Sequence, residues 1–301
     1  MYKRQLVSNL GKSGSGKLGE SWELSGVKDN VSIVANGPLI GQSLSHLIET
    51  YNIELLGSKV TEKYGMEFPL LFKFIDAQED LSVQLHPDDA IARERHNSFG
   101  KTEMWYILDT EKDARLILGF ENGIDKEVYL KHLSKGSLTS ILHSEKVEKG
   151  DSFFISPGTV HAIGGGTLLA EIQQTSDITY RIYDWDRPDI DGSMRELHTD
   201  LSLDVIDFEK SNAKIEYSDS KDKSVTLCKS DYFNTSILNL SKSFSKGISH
   251  IDSFIVYMCV EGKAVINNET IKKGETLFIP ACFKEITITT NGVSLLEISV
   301  P

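Results

Sequence analysis

Apolar residues in this chain fall mainly into short runs closed by turn residues, the spacing of short strands rather than of long helices. Strands are predicted at Phe68–Ile75, Trp105–Leu108, Ala114–Leu118, Ser152–Ile155, Leu168–Gln173, Ser224–Leu227, Ser236–Leu240, Phe254–Cys259, Ala264–Ile266, Thr276–Ile279, Glu285–Thr289 and Val293–Ile298. Helical spacing is confined to three places. Leu44, Leu47, Ile48 and Tyr51 form a stripe after a turn within 37–54. Residues 86–100 open on Pro87, Asp88 and Asp89, a helix-start signal, and residues 124–145 form a Lys/Glu-rich insert. Many short strands with few helices predict a mainly β protein, a sandwich or a jelly-roll barrel, with small helical insertions.

The pattern repeats once. Lys149-Gly150-Asp151-Ser152-Phe153-Phe154-Ile155-Ser156-Pro157 is echoed by Lys273-Gly274-Glu275-Thr276-Leu277-Phe278-Ile279-Pro280. Each reads as a turn, a buried strand and a proline that ends it. The first copy continues to His161 and the second has no histidine there. Two related β-barrel units follow, with the polar stretch 209–223 as the junction. The expected division is residues 1–208, carrying a metal site, and residues 209–301, a degenerate barrel without one.

Composition narrows the function. At 301 residues, 40% apolar and 25% charged, the chain is that of an ordinary globular protein. A net charge of −12 without a Lys/Arg block argues against a nucleic-acid partner, and an anionic substrate would need a local cluster of cations. Cys228, Cys259 and Cys282 lack metal-ligand spacing and read as small core or strand residues, which fits a reducing cytoplasm. No leader or membrane span is read from the sequence. The Gly/Ser-rich segment 11–20 resembles a phosphate loop, but Leu18 follows Gly16-Lys17 where a magnesium-binding Ser or Thr would stand. It is read as a loop.

Three patches in the first unit each place a metal ligand beside a turn or strand signal: Gln84-Leu85-His86-Pro87-Asp88, Lys101-Thr102-Glu103, and Pro157-Gly158-Thr159-Val160-His161. His86, Glu103 and His161 are a two-histidine, one-carboxylate set, which suits a catalytic divalent metal with an open position. The other six histidines are read as ordinary structural or surface residues. Gly150…Pro157-Gly158…His161 resembles the second cupin motif, and Gln84-x-His86…Glu103 a modified first motif. Further patches carry a closer resemblance: Gly19 to Ser25, Val34 to Leu39, Leu81 to Asp88, Lys101 to Tyr106, Pro157 to Ala162 and Tyr180 to Trp185. In that order they resemble the type I mannose-6-phosphate isomerases, in the short bacterial form.

The resemblance implies one zinc ion per chain held by His86, Glu103 and His161, with Gln84 contributing its amide oxygen or holding a zinc-bound water. It maps the family's catalytic arginine onto Arg181, its site lysine onto Lys101 and a site glutamate onto Glu171. The Gly164-Gly165-Gly166 run makes the loop before Glu171 one residue longer than in some eukaryotic members. Ser82, two residues before Gln84 on the same strand face, is a candidate phosphate donor. The implied activity interconverts mannose 6-phosphate and fructose 6-phosphate through a cis-enediolate. Arg181 and Lys101 suit a phosphorylated, oxygen-rich substrate. The implied partner is a small sugar phosphate, with neither nucleic acid nor membrane, and the chain is a monomer or homodimer. Two rival readings share the motifs: an iron-dependent cupin oxygenase, and a non-catalytic sugar-phosphate-binding cupin.

Overall fold

The computed structural model describes residues 5–13, 19–188, 192–209 and 211–301. The first four residues and residues 14–18 of the Gly/Ser-rich segment lie outside the described residues. The chain is mainly β and forms two units, residues 75–214 and residues 1–74 together with 215–301. This differs from the division expected at 208/209, because the chain crosses between units twice. The second crossing, at 214/215, falls inside the polar stretch 209–223. The first, at 74/75, lies within the buried strand Leu70–Ala77.

Tertiary hydrogen bonds explain why the N-terminal residues join the C-terminal unit. The backbone N–H groups of Ala281 and Cys282 donate to the carbonyls of Leu55 and Glu54, at 3.0 and 2.9 Å. The helix Ser58–Tyr64 has no capping side chain of its own. Asp252 serves instead, its carboxylate accepting from Ser58 N at 2.8 Å and Lys59 N at 3.3 Å. Those are orphan donors of a helix N-terminus, which favours negative charge. Phe68, Phe254 and Phe278 complete the packing, with ring centroids 5.0 to 6.2 Å apart. The β-sheet of this unit runs Ser224–Lys229, Asn234–Leu240, Val293–Ser299, Ile255–Ile266, Glu285–Thr289, Phe244–Gly247. The two strands predicted at 254–259 and 264–266 are thus one bent strand, with a bulge between Cys259 and Glu261.

The unit at residues 75–214 builds its interior from two antiparallel layers. In one, Glu103–Thr110 lies between Thr167–Gln174 and Ser152–Ile155. In the other the order is Tyr180–Tyr183, Val83–Leu85, His161–Ile163, Arg115–Phe120, Leu142–Lys146. Ala77, Trp105, Ile107, Leu116, Leu118, Phe153, Ile163 and Leu169 fill one core. Val83, Leu85, Phe120, Tyr129, Leu142, Val160 and Tyr180 fill a second. Each such side chain, fully buried, contributes on the order of 1.5–3 kcal/mol.

Local signals decide the helices. Ser43 caps the helix Leu44–Tyr51, whose Leu44, Leu47 and Ile48 are buried, although Tyr51 is exposed. Asp88 caps Asp89–His96, accepting from Ile91 N at 2.9 Å, so His86 stands ahead of the helix and not in it. The insert expected as helical over 124–145 contains the helix Lys126–Ser134 and a 3-10 turn Leu138–Ile141, then becomes the strand Leu142–Lys146. There a strand partner at Arg115–Phe120 overrides the local Lys/Glu-rich pattern. Cys228 and Cys259 are buried as expected, whereas Cys282 is an exposed turn residue.

Candidate metal centre

Alternation along the strands sends one set of side chains into the interior of residues 75–214. Glu103 and Trp105 share a face, and register places Gln173 opposite Glu103 and Glu171 opposite Trp105. From the facing layer, Gln84 pairs with both His161 and Arg181, so these three form one row across adjacent strands. His86 follows Leu85 at the strand's end. The interior thereby collects His86, Glu103, His161, Lys101, Gln84, Ser82, Glu171 and Arg181, every residue singled out from the sequence. All but Gln84 and Arg181 are buried, and those two are partly buried.

The ligand atoms of His86, Glu103 and His161 lie within 4.8 Å of one another. Glu103 Oε1 is 3.3 Å from His86 Nε2, and Oε2 is 3.7 Å from His161 Nε2. Each imidazole uses its other nitrogen on the backbone. Nδ1 of His86 donates to Ile178 O at 2.8 Å, and Nδ1 of His161 to Thr159 O at 2.9 Å. A backbone carbonyl only accepts, so both Nδ1 atoms carry the proton and both Nε2 atoms offer a lone pair. Orientation by a second hydrogen bond is how metal-binding histidines are held.

Electrostatics agree. Burial pushes the pKa of His86 down to about 3, and the Lys101 charge adds to this against the opposing pull of Glu103. Burial also lowers His161. Both rings are therefore neutral at pH 7, as ligation requires. Burial alone would raise Glu103, yet Lys101 together with the nearby histidines holds it well below the usual carboxylate range. Lys101 Nζ stands 2.7 Å from Glu103 Oε1 and 3.3 Å from His86 Nε2. Despite that charge contact, neither carboxylate oxygen completes a well-formed hydrogen bond. A buried anion with unused lone pairs beside two imidazole lone pairs fits a divalent cation. Among the described residues this is the group of His, Cys, Asp or Glu side chains placed to share an ion.

The remaining residues ring this set. Gln84 Nε2 lies 3.5 Å from His161 Nε2, and Gln84 Oε1 accepts from Ser82 Oγ at 3.2 Å. Arg181 Nη1 donates to Glu196 O at 3.0 Å. Glu171 Oε2 accepts from Trp105 Nε1 at 3.0 Å. The Gly164-Gly165-Gly166 run before Glu171 forms a turn, where Gly164 N donates to Arg115 O and Gly166, at φ +82°, donates to Ala77 O.

Two supporting residues have no role assigned from the sequence, although Trp105 lies within the Lys101–Tyr106 patch. Trp105 bonds Glu171 and sets its ring edge-on to His161, centroids 5.4 Å apart. Its sequence signal was its spacing, two residues after Glu103. His198 was set aside as an ordinary histidine. Its backbone N–H donates to Arg181 O at 2.7 Å and its Nδ1 accepts from Arg181 N at 3.2 Å, which pins the arginine's main chain. No sequence signal announced it.

Comparison with known proteins places this arrangement. Residues 12–114 match the family model of the phosphomannose isomerase type I catalytic domain, and residues 223–296 that of the mannose-6-phosphate isomerase cupin domain. The chain is 38% identical to mannose-6-phosphate isomerase ManA of Bacillus subtilis over 274 residues, 88% of this chain and 84% of that one. It is 34% identical to the mannose-6-phosphate isomerase of Streptococcus mutans over 270 residues, 88% of this chain and 84% of that one. The crystal structure of the mannose 6-phosphate isomerase from B. subtilis is similar with a TM-score of 0.87 at 32% identity, over 98% of this chain and 94% of that one.

Proposed function

The chain belongs to the type I phosphomannose isomerases, and on that premise we propose that it interconverts mannose 6-phosphate and fructose 6-phosphate using a zinc ion. His86, Glu103 and His161 would hold the ion, with Gln84 at the edge of the set. When bound, it supplies positive charge that polarises the sugar's reacting oxygens. The observation that carries the reading is the convergence of two oriented, neutral imidazoles and a buried carboxylate with Lys101 in one chamber.

The chain's own groups divide the remaining work. The reaction moves a proton between C1 and C2 of the open-chain sugar through a cis-enediolate. A base takes the proton from carbon, and the oxygen that gains negative charge needs nearby cations. Arg181, permanently charged and in one row with Gln84 and His161, is assigned to that oxygen or to the phosphate. Lys101 stands against Glu103 and His86 and offers the second cation. Glu103 is committed to Lys101 and the ligand set. Glu171 is the other buried carboxylate among these residues and is assigned the proton, its orientation fixed by Trp105 N–H. Ser82, beside Gln84, is assigned to the phosphate.

A coupled assay with mannose 6-phosphate, run with and without chelator, tests the proposal. Turnover that chelation abolishes and zinc restores supports it. Oxygen consumption without isomerisation, or binding of the sugar phosphate without turnover, would replace it.

A further inference from the structure

Gln173 was not singled out by any motif, yet it lies in the buried interior that holds the candidate ligands. It is fully buried and stands directly opposite Glu103 across the strand pair, two residues beyond Glu171 on the same face. Its amide nitrogen has two hydrogens and two acceptors: Gln174 O at 2.9 Å and Ser176 O at 2.7 Å. Both acceptors are carbonyls, so only the NH2 end can face them, and the orientation of the amide is fixed. The other end, Oε1, is buried and has no hydrogen-bond partner.

A buried acceptor without a donor forfeits the hydrogen bond it had in water, so it destabilises the fold unless a partner arrives. Gln174, next in the chain, shows that the fold can use an amide at both ends. Its Oε1 accepts from Thr102 N and its Nε2 donates to Asp89 Oδ1, both at 3.0 Å. Of these two amides, the one with the unused acceptor is the one whose face is shared with the candidate ligand Glu103. We propose that Gln173 contacts substrate: its amide oxygen accepts a hydrogen bond from a hydroxyl group of the sugar phosphate. The proposal rests on the isomerase reading above. A site built to pair with a substrate O–H discriminates strongly against analogues lacking it, so Gln173 would select for a hydroxylated chain beside Glu103.

Gln173 has a second connection that a test must separate. Through Ser176 it helps hold the turn that reaches Ile178, whose carbonyl orients His86. Gln173→Met keeps the length of the side chain and removes both amide ends. The probe is mannitol 6-phosphate, which carries the hydroxyls but has no carbonyl and cannot isomerise. Calorimetry on the zinc-loaded protein should show Gln173→Met binding it about tenfold more weakly or worse, with zinc affinity, measured by chelator competition, within a few-fold of wild type. Unchanged binding overturns the proposal. So does weaker binding that only follows a fall in zinc affinity, because Gln173 would then act through His86 alone. If the variant does not fold, a crystal structure of the wild-type complex decides. A sugar hydroxyl within 3.2 Å of Oε1 supports the contact, and a protein donor or no donor there overturns it. Failure of the wild type to turn over mannose 6-phosphate would sink the isomerase reading instead.

Discussion

At Arg181 a permanent charge sits on a main chain that a neighbouring histidine holds. His198 brackets its main chain at both N–H and C=O, and register aligns it with Gln84 and His161. Arg181→Ala is expected to leave zinc content and folding intact and to lower kcat/KM on the order of 10²-fold or more, the effect of losing an oxyanion-stabilising group. Steady-state kinetics with metal analysis on the same preparation would measure this. Near-normal turnover removes Arg181 from the reaction. The candidate site residues were legible at this scale because each sits in a short patch with its own turn or strand signal. Trp105, His198 and Gln173 were not, since an indole, an imidazole and an amide in strand or loop sequence usually serve the core or the surface. Their parts depend on partners 66, 17 and 70 residues away: Glu171, Arg181 and Glu103.

At the scale of elements, the internal echo has a hydrogen-bonding basis. Gly150 at φ +95° donates to Ile107 O, and Ile107 N donates to Asp151 O. Gly274 at φ +84° donates to Cys259 O, and Cys259 N donates to Glu275 O, so Cys259 stands where Ile107 stands. Counting back along both strands sets Tyr257 beside Trp105 and Ile255 beside Glu103. The aromatic-to-carboxylate bond Trp105–Glu171 then recurs as Tyr257–Glu297, with Lys246 also on Glu297. The carboxylate paired with this aromatic thus belongs to the architecture of both units, whereas Ile255 stands where the candidate ligand Glu103 does. The turn before His161 is the other decisive element. Gly158 has φ +84°, its N–H donates to His86 O at 2.9 Å, and an added Cβ would fall 2.6 Å from Val205 O. Gly158→Ala should cost roughly 2 kcal/mol or more, from left-handed strain plus the clash. Urea unfolding of the metal-free protein would read this, and a wild-type midpoint would show that the turn adapts freely.

Over the whole molecule, the proposed function requires a chain of net charge −12 to gather an anionic sugar phosphate by local cations, a part proposed for Lys101 and Arg181. One divalent metal per chain is expected, and none in residues 210–301. Elemental analysis should give one equivalent in the wild type and none after His86→Ala with His161→Ala. Metal retained by the double variant would reveal a second site. Because the ion binds the folded chain, the loaded protein should be stabilised by about 2.7 kcal/mol when free zinc is a hundred times its Kd. A melting temperature unmoved by chelator would argue against a tight site. No helix among the described residues is long and apolar enough to cross a membrane.

The sequence by itself determined the mainly β class, most of the strands and the internal repeat, and it singled out the three residues that the fold brings together as a candidate ligand set. Those features are written in short-range signals: alternation, turn glycines and prolines, and ligand patches a few residues long. Tertiary structure decided the rest. Which end of the chain packs with which depends on Asp252 capping a helix almost 200 residues earlier, a contact that leaves no mark in local periodicity. The strand Leu142–Lys146 exists because a partner strand was available to it. The charge states at His86 and Glu103 arise from burial and from Lys101, conditions that exist only after the strands have closed around them.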